Sequence, residues 1–208
     1  IAMFRTLLNS VVLYPSDAVA TERLVQLAAD YKGIVYIRTT RKDTPVLYDL
    51  SEEFKIGGCK VLRQGSNDRI TVVAAGITLH EALAAYEELK KEGISIRVID
   101  LYSIKPLDVE ALKKAATETG GIITVEDHFL EGGIGEAVAR ALFSFPSHLP
   151  PHLSSPTSGE ELKEGGGVKL ISLAVRKMPR SGKPEELLDY EEIDKNAIVK
   201  TLKEILNK

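Results

Sequence analysis

Few residues in this chain have the types and spacing for chemistry, and the densest group lies in "VEDHFLEGGIGEAVARAL", residues 125–142. A strand-like run ends in Glu126, Asp127 and His128, and a glycine-rich turn leads into a helical pattern. Glycines permit positive φ, and the first N–H groups of a helix are unpaired, so such a turn can hold an anion. The pattern is not G-x-G-x-x-G, however, and no phosphate-loop lysine follows. The residues read first as a strand-to-helix turn of an open α/β sheet, with ligand binding as the alternative. Side chains adjacent along a strand point to opposite faces, so Glu126 and Asp127 do not form a dyad.

Arg38 and Arg41, in "IRTTR", follow the apolar run "IVYI". Guanidinium groups at the carboxyl end of a strand can clamp a phosphate or carboxylate through paired hydrogen bonds. A surface salt bridge is the competing reading. His80 falls in the first turn or so of a helical pattern, where the helix dipole disfavours its cationic form, and reads as structural. Cys59, in "GGCKV", stands at a strand entrance and reads as a buried structural thiol. His148 and His152 are four apart, but Pro146, Pro150 and Pro151 forbid the regular helix that would make them a metal pair. There is no G-x-S-x-G, C-x-x-C, H-E-x-x-H or G-x-x-x-x-G-K-[ST].

The elements that position these residues come from periodicity and punctuation. "SVVLYPSDAVATERLVQLAADYKGIVYIRTTR" predicts strand, helix, strand, with Ser16 or Asp17 capping the helix and a right-handed parallel crossover. Residues 42 to about 59 break the rhythm and read as a link, with the linker proper at 51–59 between units 1–50 and 60–208. Strands follow at "KVLRQG" and "ITVVAAG". "TLHEALAAYEELKKEG" predicts a helix with Leu79, Ala82, Leu83, Tyr86 and Leu89 on one face. "ISIRVID", a helix between Asp108 and Gly120, the strand "GIITVED", the helix "IGEAVARALF" and the strand "VKLISLAV" continue the alternation. "PRSGKPEELLDYEEID" predicts one short helix, and a last helix starts after Asp194. Near-continuous apolar strands between helices predict an α/β fold with a mostly parallel sheet covered on both faces.

Residues 144–167 differ from the rest. Four prolines, five serines and four glycines leave little to pack, so the segment reads as a functional loop or flexible insertion.

Bulk composition sets limits on partners. A chain of 208 residues with 44% hydrophobic and 27% charged residues suits a globular protein of one large or two small domains. A net charge of −3 gives no general basis for nucleic-acid binding. No apolar run reaches the roughly 20 residues of a membrane helix. The lone cysteine cannot form an internal disulfide and suits a reducing compartment. Opening on Ile1 reads as a processed or truncated chain unless Met3 is the start.

Beside this reading stands a resemblance. "AMFRTLLNSVVLYPSDAVATERLVQLAADYKGIVYIRTTR" resembles the late part of the pyrimidine-binding domain of transketolases. "VVAAGITLHEALAAYEELKKEGISIRVIDLYSIKPLD", "TVEDHFLEGGIGEA" and "PRSGKPEELL" resemble the carboxy-terminal domain of the same family, in the same order. "YPSD", "IRTTR" and "PRSGKPEELL" together point to its animal-like branch. The resemblance implies a partial α/β pyrimidine-binding domain at 1–50 and a three-layer α/β/α carboxy-terminal domain at 60–208. It further implies a cytoplasmic, homodimeric transferase of the pentose phosphate pathway that moves a two-carbon ketol unit between sugar phosphates. The cofactors implied are thiamine diphosphate and a divalent metal, Mg or Ca, held by sequence upstream of this chain or on a separate subunit. None is expected on this chain alone. One substrate contact carries over: Arg41, matching the family arginine that binds the sugar phosphate, with Arg38 in support. The connection at 144–167 is much longer than in the animal-like branch. By this reading the chain alone is inactive and mainly supports dimer structure. The alternatives are a non-catalytic interaction or regulatory α/β module, and a stand-alone nucleotide-binding domain using "GGIGEA".

Overall fold

The fold was obtained as a computed structural model, which describes residues 1–143 and 168–206. The 144–167 segment, with His148 and His152, lies outside the described residues.

Two sheets organise the chain. The smaller one contains β1 (Ser10–Leu13), β2 (Ile34–Ile37) and β6 (Ser103–Lys105) in the order β2-β1-β6. β1 and β2 are parallel, as a strand-helix-strand unit through α2 (Ala18–Asp30) requires, and β6 runs antiparallel to β1. The larger sheet has the order β3-β5-β4-β7-β8, from β3 (Lys60–Arg63), β5 (Arg97–Asp100), β4 (Thr71–Ala74), β7 (Gly121–Phe129) and β8 (Lys169–Val175). All of its neighbouring pairs are parallel except β3–β5, which is antiparallel.

Alternate residues of the larger sheet feed separate cores, because strand side chains point to opposite faces. Val72, Ala74, Val98, Ile123 and Val125 pack with α3 (Ile77–Lys91) and α7 (Lys195–Leu206). Val73, Ile99 and Ile122 pack with α4 (Val109–Thr119) and α5 (Ile134–Leu142). The result is the expected three-layer α/β/α arrangement with a mostly parallel sheet. The helix boundaries follow local chemistry. The Asp17 and Asp108 carboxylates accept the N–H groups of Ala20 and Ala111, and Asp194 accepts that of Ala197. Gly120 ends α4 in the left-handed conformation.

Two elements arise without local warning. A five-residue helix, α1 (Ala2–Thr6), precedes β1. β6 follows β5 after a two-residue step but joins the smaller sheet. Val12, Tyr14 and Ile104 consequently share a core with Val73, Ile99 and Leu112, while Val11 and Leu13 face Leu24 of α2. The two sheets therefore pack on a common apolar interior.

Candidate substrate-anchoring site

The site is built where the carboxyl ends of β1 and β2 meet those of β5 and β7. Past β1 the chain runs through Tyr14, Pro15, Ser16 and Asp17 into α2. Past β2 it runs through Arg38 to Lys42. The Arg38 backbone N–H still donates to the Leu13 carbonyl at 2.9 Å, prolonging the pairing one step beyond the strand.

Arg38 does not face solvent as a free cation. Its Nη2 donates to Asp127 Oδ2 at 2.7 Å and to the Asp127 carbonyl at 3.0 Å. The Tyr14 hydroxyl donates to the same Oδ2 at 3.0 Å, and the guanidinium lies 5.0 Å from the Tyr14 ring centre. Burial pushes the Tyr14 phenol well above its ordinary range, and the adjacent Asp127 charge adds to this. Of the two readings of Arg38, an ion pair is the one present, and it joins the two sheets.

Arg41 is exposed, and no described residue engages it by hydrogen bond or ion pair. Its five N–H donors remain available for a planar anion. Thr39, Thr40 and Lys42, its chain neighbours, line a polar cleft of about 640 Å³ together with Ser16 and Asp17. The arrangement can anchor a phosphate or carboxylate at the rim.

Beneath the cleft lies a buried polar network. Ser16 Oγ donates to Asp100 Oδ1 at 2.9 Å and accepts the Gly76 N–H at 2.9 Å. The Tyr48 hydroxyl donates to Asp100 Oδ2 at 2.7 Å. Asp17 accepts not only from Ala20 but, through Oδ2, from the Leu47 and Tyr48 N–H groups at 2.6 and 3.0 Å. His80 Nε2 donates to the Ser16 carbonyl at 2.7 Å, the structural role read from its position. Burial raises the Asp100 carboxyl to about 7 despite its two hydroxyl donors. These residues escaped sequence reasoning; the signals were the acid ending the apolar run "RVID" and the compact "YPSD" turn.

The glycine-rich segment is the strand-to-helix turn of the first reading, leading from β7 into α5, and the N-terminus of that helix is already occupied. Glu126, 1% exposed, folds back on α5 and accepts the Ile134 and Gly135 N–H groups at 2.5 and 2.9 Å. The anion at this helix N-terminus is the protein's own carboxylate, which leaves those donors closed to a nucleotide phosphate. A Cβ at Gly133 would stand 2.0 Å from Glu126 Oε2, so the glycine makes room for the cap. Burial raises the Glu126 carboxyl to about 7. Asp127 points the other way, to Arg38, as strand alternation requires. His128 is half-buried, with Nδ1 donating to the Phe129 carbonyl at 2.7 Å, and burial lowers its pKa. The three residues do not converge on a common point. Cys59 is partly buried against the core shared by the sheets, and its thiol is pushed up to about 12, chiefly by burial. Among the described residues no three His, Cys, Asp or Glu side chains gather as a metal site, and no helix is long and apolar enough to cross a membrane. The described residues therefore do not fit a divalent metal.

Residues 57–154 match the family model of the transketolase carboxy-terminal domain. The whole chain is 49% identical to transketolase-like protein 1 of Bos taurus and 48% identical to transketolase of Mus musculus, over 209 aligned residues in each case. The chain belongs to the transketolase family. These alignments cover 100% of the chain but 32% and 30% of the relatives, so it spans about a third of their length. Among solved structures it is similar to a split-gene transketolase described as an inactive β4 tetramer. The TM-score is 0.79 and the identity 31%, over 99% of this chain and 60% of that one. The two-sheet architecture is thus that of a transketolase, and the exposed arginine beyond β2 sits within a region matched along its whole length.

Proposed function

We propose that this chain serves as part of a transketolase, transferring a two-carbon ketol unit between sugar phosphates in the pentose phosphate pathway. In this reading the complete enzyme is a cytoplasmic homodimer using thiamine diphosphate and a divalent metal, Mg or Ca. Cofactor and metal are held by sequence or a subunit outside this chain, and thiamine diphosphate supplies the carbanion chemistry when bound. The division into 1–50, a linker at 51–59 and 60–208 belongs to the same proposal, with β6 reaching back across it.

Arg41 carries the substrate part of the reading. It is an exposed guanidinium without a partner among the described residues, at a strand's carboxyl end beside a polar cleft. A phosphate distant from the reacting carbonyl serves to position the substrate, and a guanidinium fork suits it. In the complete enzyme Arg41→Ala is expected to raise KM for phosphorylated acceptors by about tenfold or more, the weight of one charge-assisted contact, with unphosphorylated acceptors little affected. Equal effects on both acceptor classes would refute the assignment. The isolated chain is expected to show no turnover in the same assay; measurable ketol transfer by it would overturn its supporting role.

A further inference from the structure

The segment bearing Arg41 leaves β2 at Arg38 and returns to the core at Leu47 and Tyr48. Both ends are held by carboxylates, two of them on the larger sheet. At the start, Asp127 of β7 holds Arg38 through its side chain and its carbonyl, at 2.7 and 3.0 Å, and Tyr14 donates to the same carboxylate. At the end, Asp17 accepts the Leu47 and Tyr48 N–H groups while Asp100 of β5 accepts the Tyr48 hydroxyl. Midway, Lys42 pairs with Glu185 of α6 (Pro184–Tyr190) at 2.8 Å. That pair is solvent-exposed and contributes little by itself. Arg41 sits between the two anchors, the first part-buried and the second buried, and is unengaged among the described residues.

We infer that Asp127 is a positioning residue for Arg41, through which the larger sheet acts on the substrate end of the molecule. The inference rests on Arg41 being the phosphate contact. Two effects follow from the geometry. The Arg38–Asp127 pair fixes the backbone three residues before Arg41, so less freedom is lost when the phosphate binds. Asp127 also neutralises Arg38 and holds its Nη2 through both the carboxylate and the carbonyl, so that Arg41 is the guanidinium presented at this strand end. Asp127 itself touches neither substrate nor cofactor.

The test compares Asp127→Asn, Arg41→Ala and the double variant in the complete enzyme, with kcat and KM measured for a phosphorylated and an unphosphorylated acceptor. Asp127→Asn is expected to raise KM for the phosphorylated acceptor about tenfold, with kcat and the unphosphorylated KM within about twofold. The double variant is expected to be no worse than Arg41→Ala, because the two residues act through one contact. The inference is overturned by equal changes on both acceptors, by a lowered KM from a freed Arg38, or by effects that multiply in the double variant. Failure of the underlying reading looks different: Arg41→Ala itself then fails to discriminate the acceptors. Should Asp127→Asn not fold, Arg38→Lys keeps the charge but loses the fork. It is expected to give the same discrimination, and its absence there overturns the inference equally.

Discussion

The Ser16 hydroxyl donates to the Asp100 carboxylate at 2.9 Å, across the boundary between the two sheets. Asp100 is fully buried, and no cation is among its hydrogen-bond or ion-pair partners in the described residues. Two hydroxyl donors do not replace water's solvation of a charge, so the acid holds its proton to about pH 7 in the folded protein.

Stability should therefore vary with pH in a definite direction. The unfolded chain releases the Asp100 proton near pH 4, and the folded chain does so near 7. Between those values the folded state binds more protons, so stability falls as pH rises and levels off above about 7. Each such group contributes a slope of up to about 1.4 kcal/mol per pH unit. Glu126, raised to about the same value, adds a second contribution in the same window. Asp100→Asn imitates the protonated acid and is expected to flatten the curve between pH 4.5 and 7. Urea unfolding at half-unit pH intervals measures this; a variant curve as steep as the parent's would refute it.

Removing the cap at α5 should cost stability. Glu126→Ala leaves the Ile134 and Gly135 N–H groups buried without their acceptor. The expected loss is about 2–3 kcal/mol. Glu126→Gln keeps one carbonyl acceptor and should lose roughly half as much. Chemical denaturation of both variants checks the order, and equal losses would show that packing, not capping, sets the effect.

Gly76 should tolerate no side chain. Its φ is +57°, and an added Cβ would meet Tyr14 Cζ at 2.0 Å. Strain and overlap together predict that Gly76→Ala costs at least about 2 kcal/mol. Tyr14→Phe in the same background should not rescue it, because the clashing ring carbons remain. Thermal melts in which the double variant recovers the parental Tm would contradict this.

Elements with local punctuation were legible in the sequence. Asp17, Asp108, Asp194 and Gly120 mark helix ends by chemistry confined to a few neighbours, and the near-continuous apolar runs of β4 and β7 announce a sheet covered on both faces. α1 and β6 were not legible. β6 is three residues long, and its partner β1 lies some ninety positions earlier, so no local pattern records the pairing. The site divides in the same way. Arg41 and Arg38 could be named from residue type and family resemblance. That Arg38 is paired depends on Asp127, 89 positions away in sequence. Glu126 could be placed at the turn but not assigned as the helix cap, because sequence shows a carboxylate beside glycines but not the direction in which it folds.

The return of β6 to the smaller sheet has a mechanical consequence. The polypeptide crosses from one sheet to the other at residues 42–59, and crosses back at 101–103 only to leave again for α4. A protease cutting within the first crossing would produce two pieces still stitched by a hydrogen-bonded ladder and a shared interior. They should co-migrate under native conditions and melt together, like two leaves sewn through a single fold.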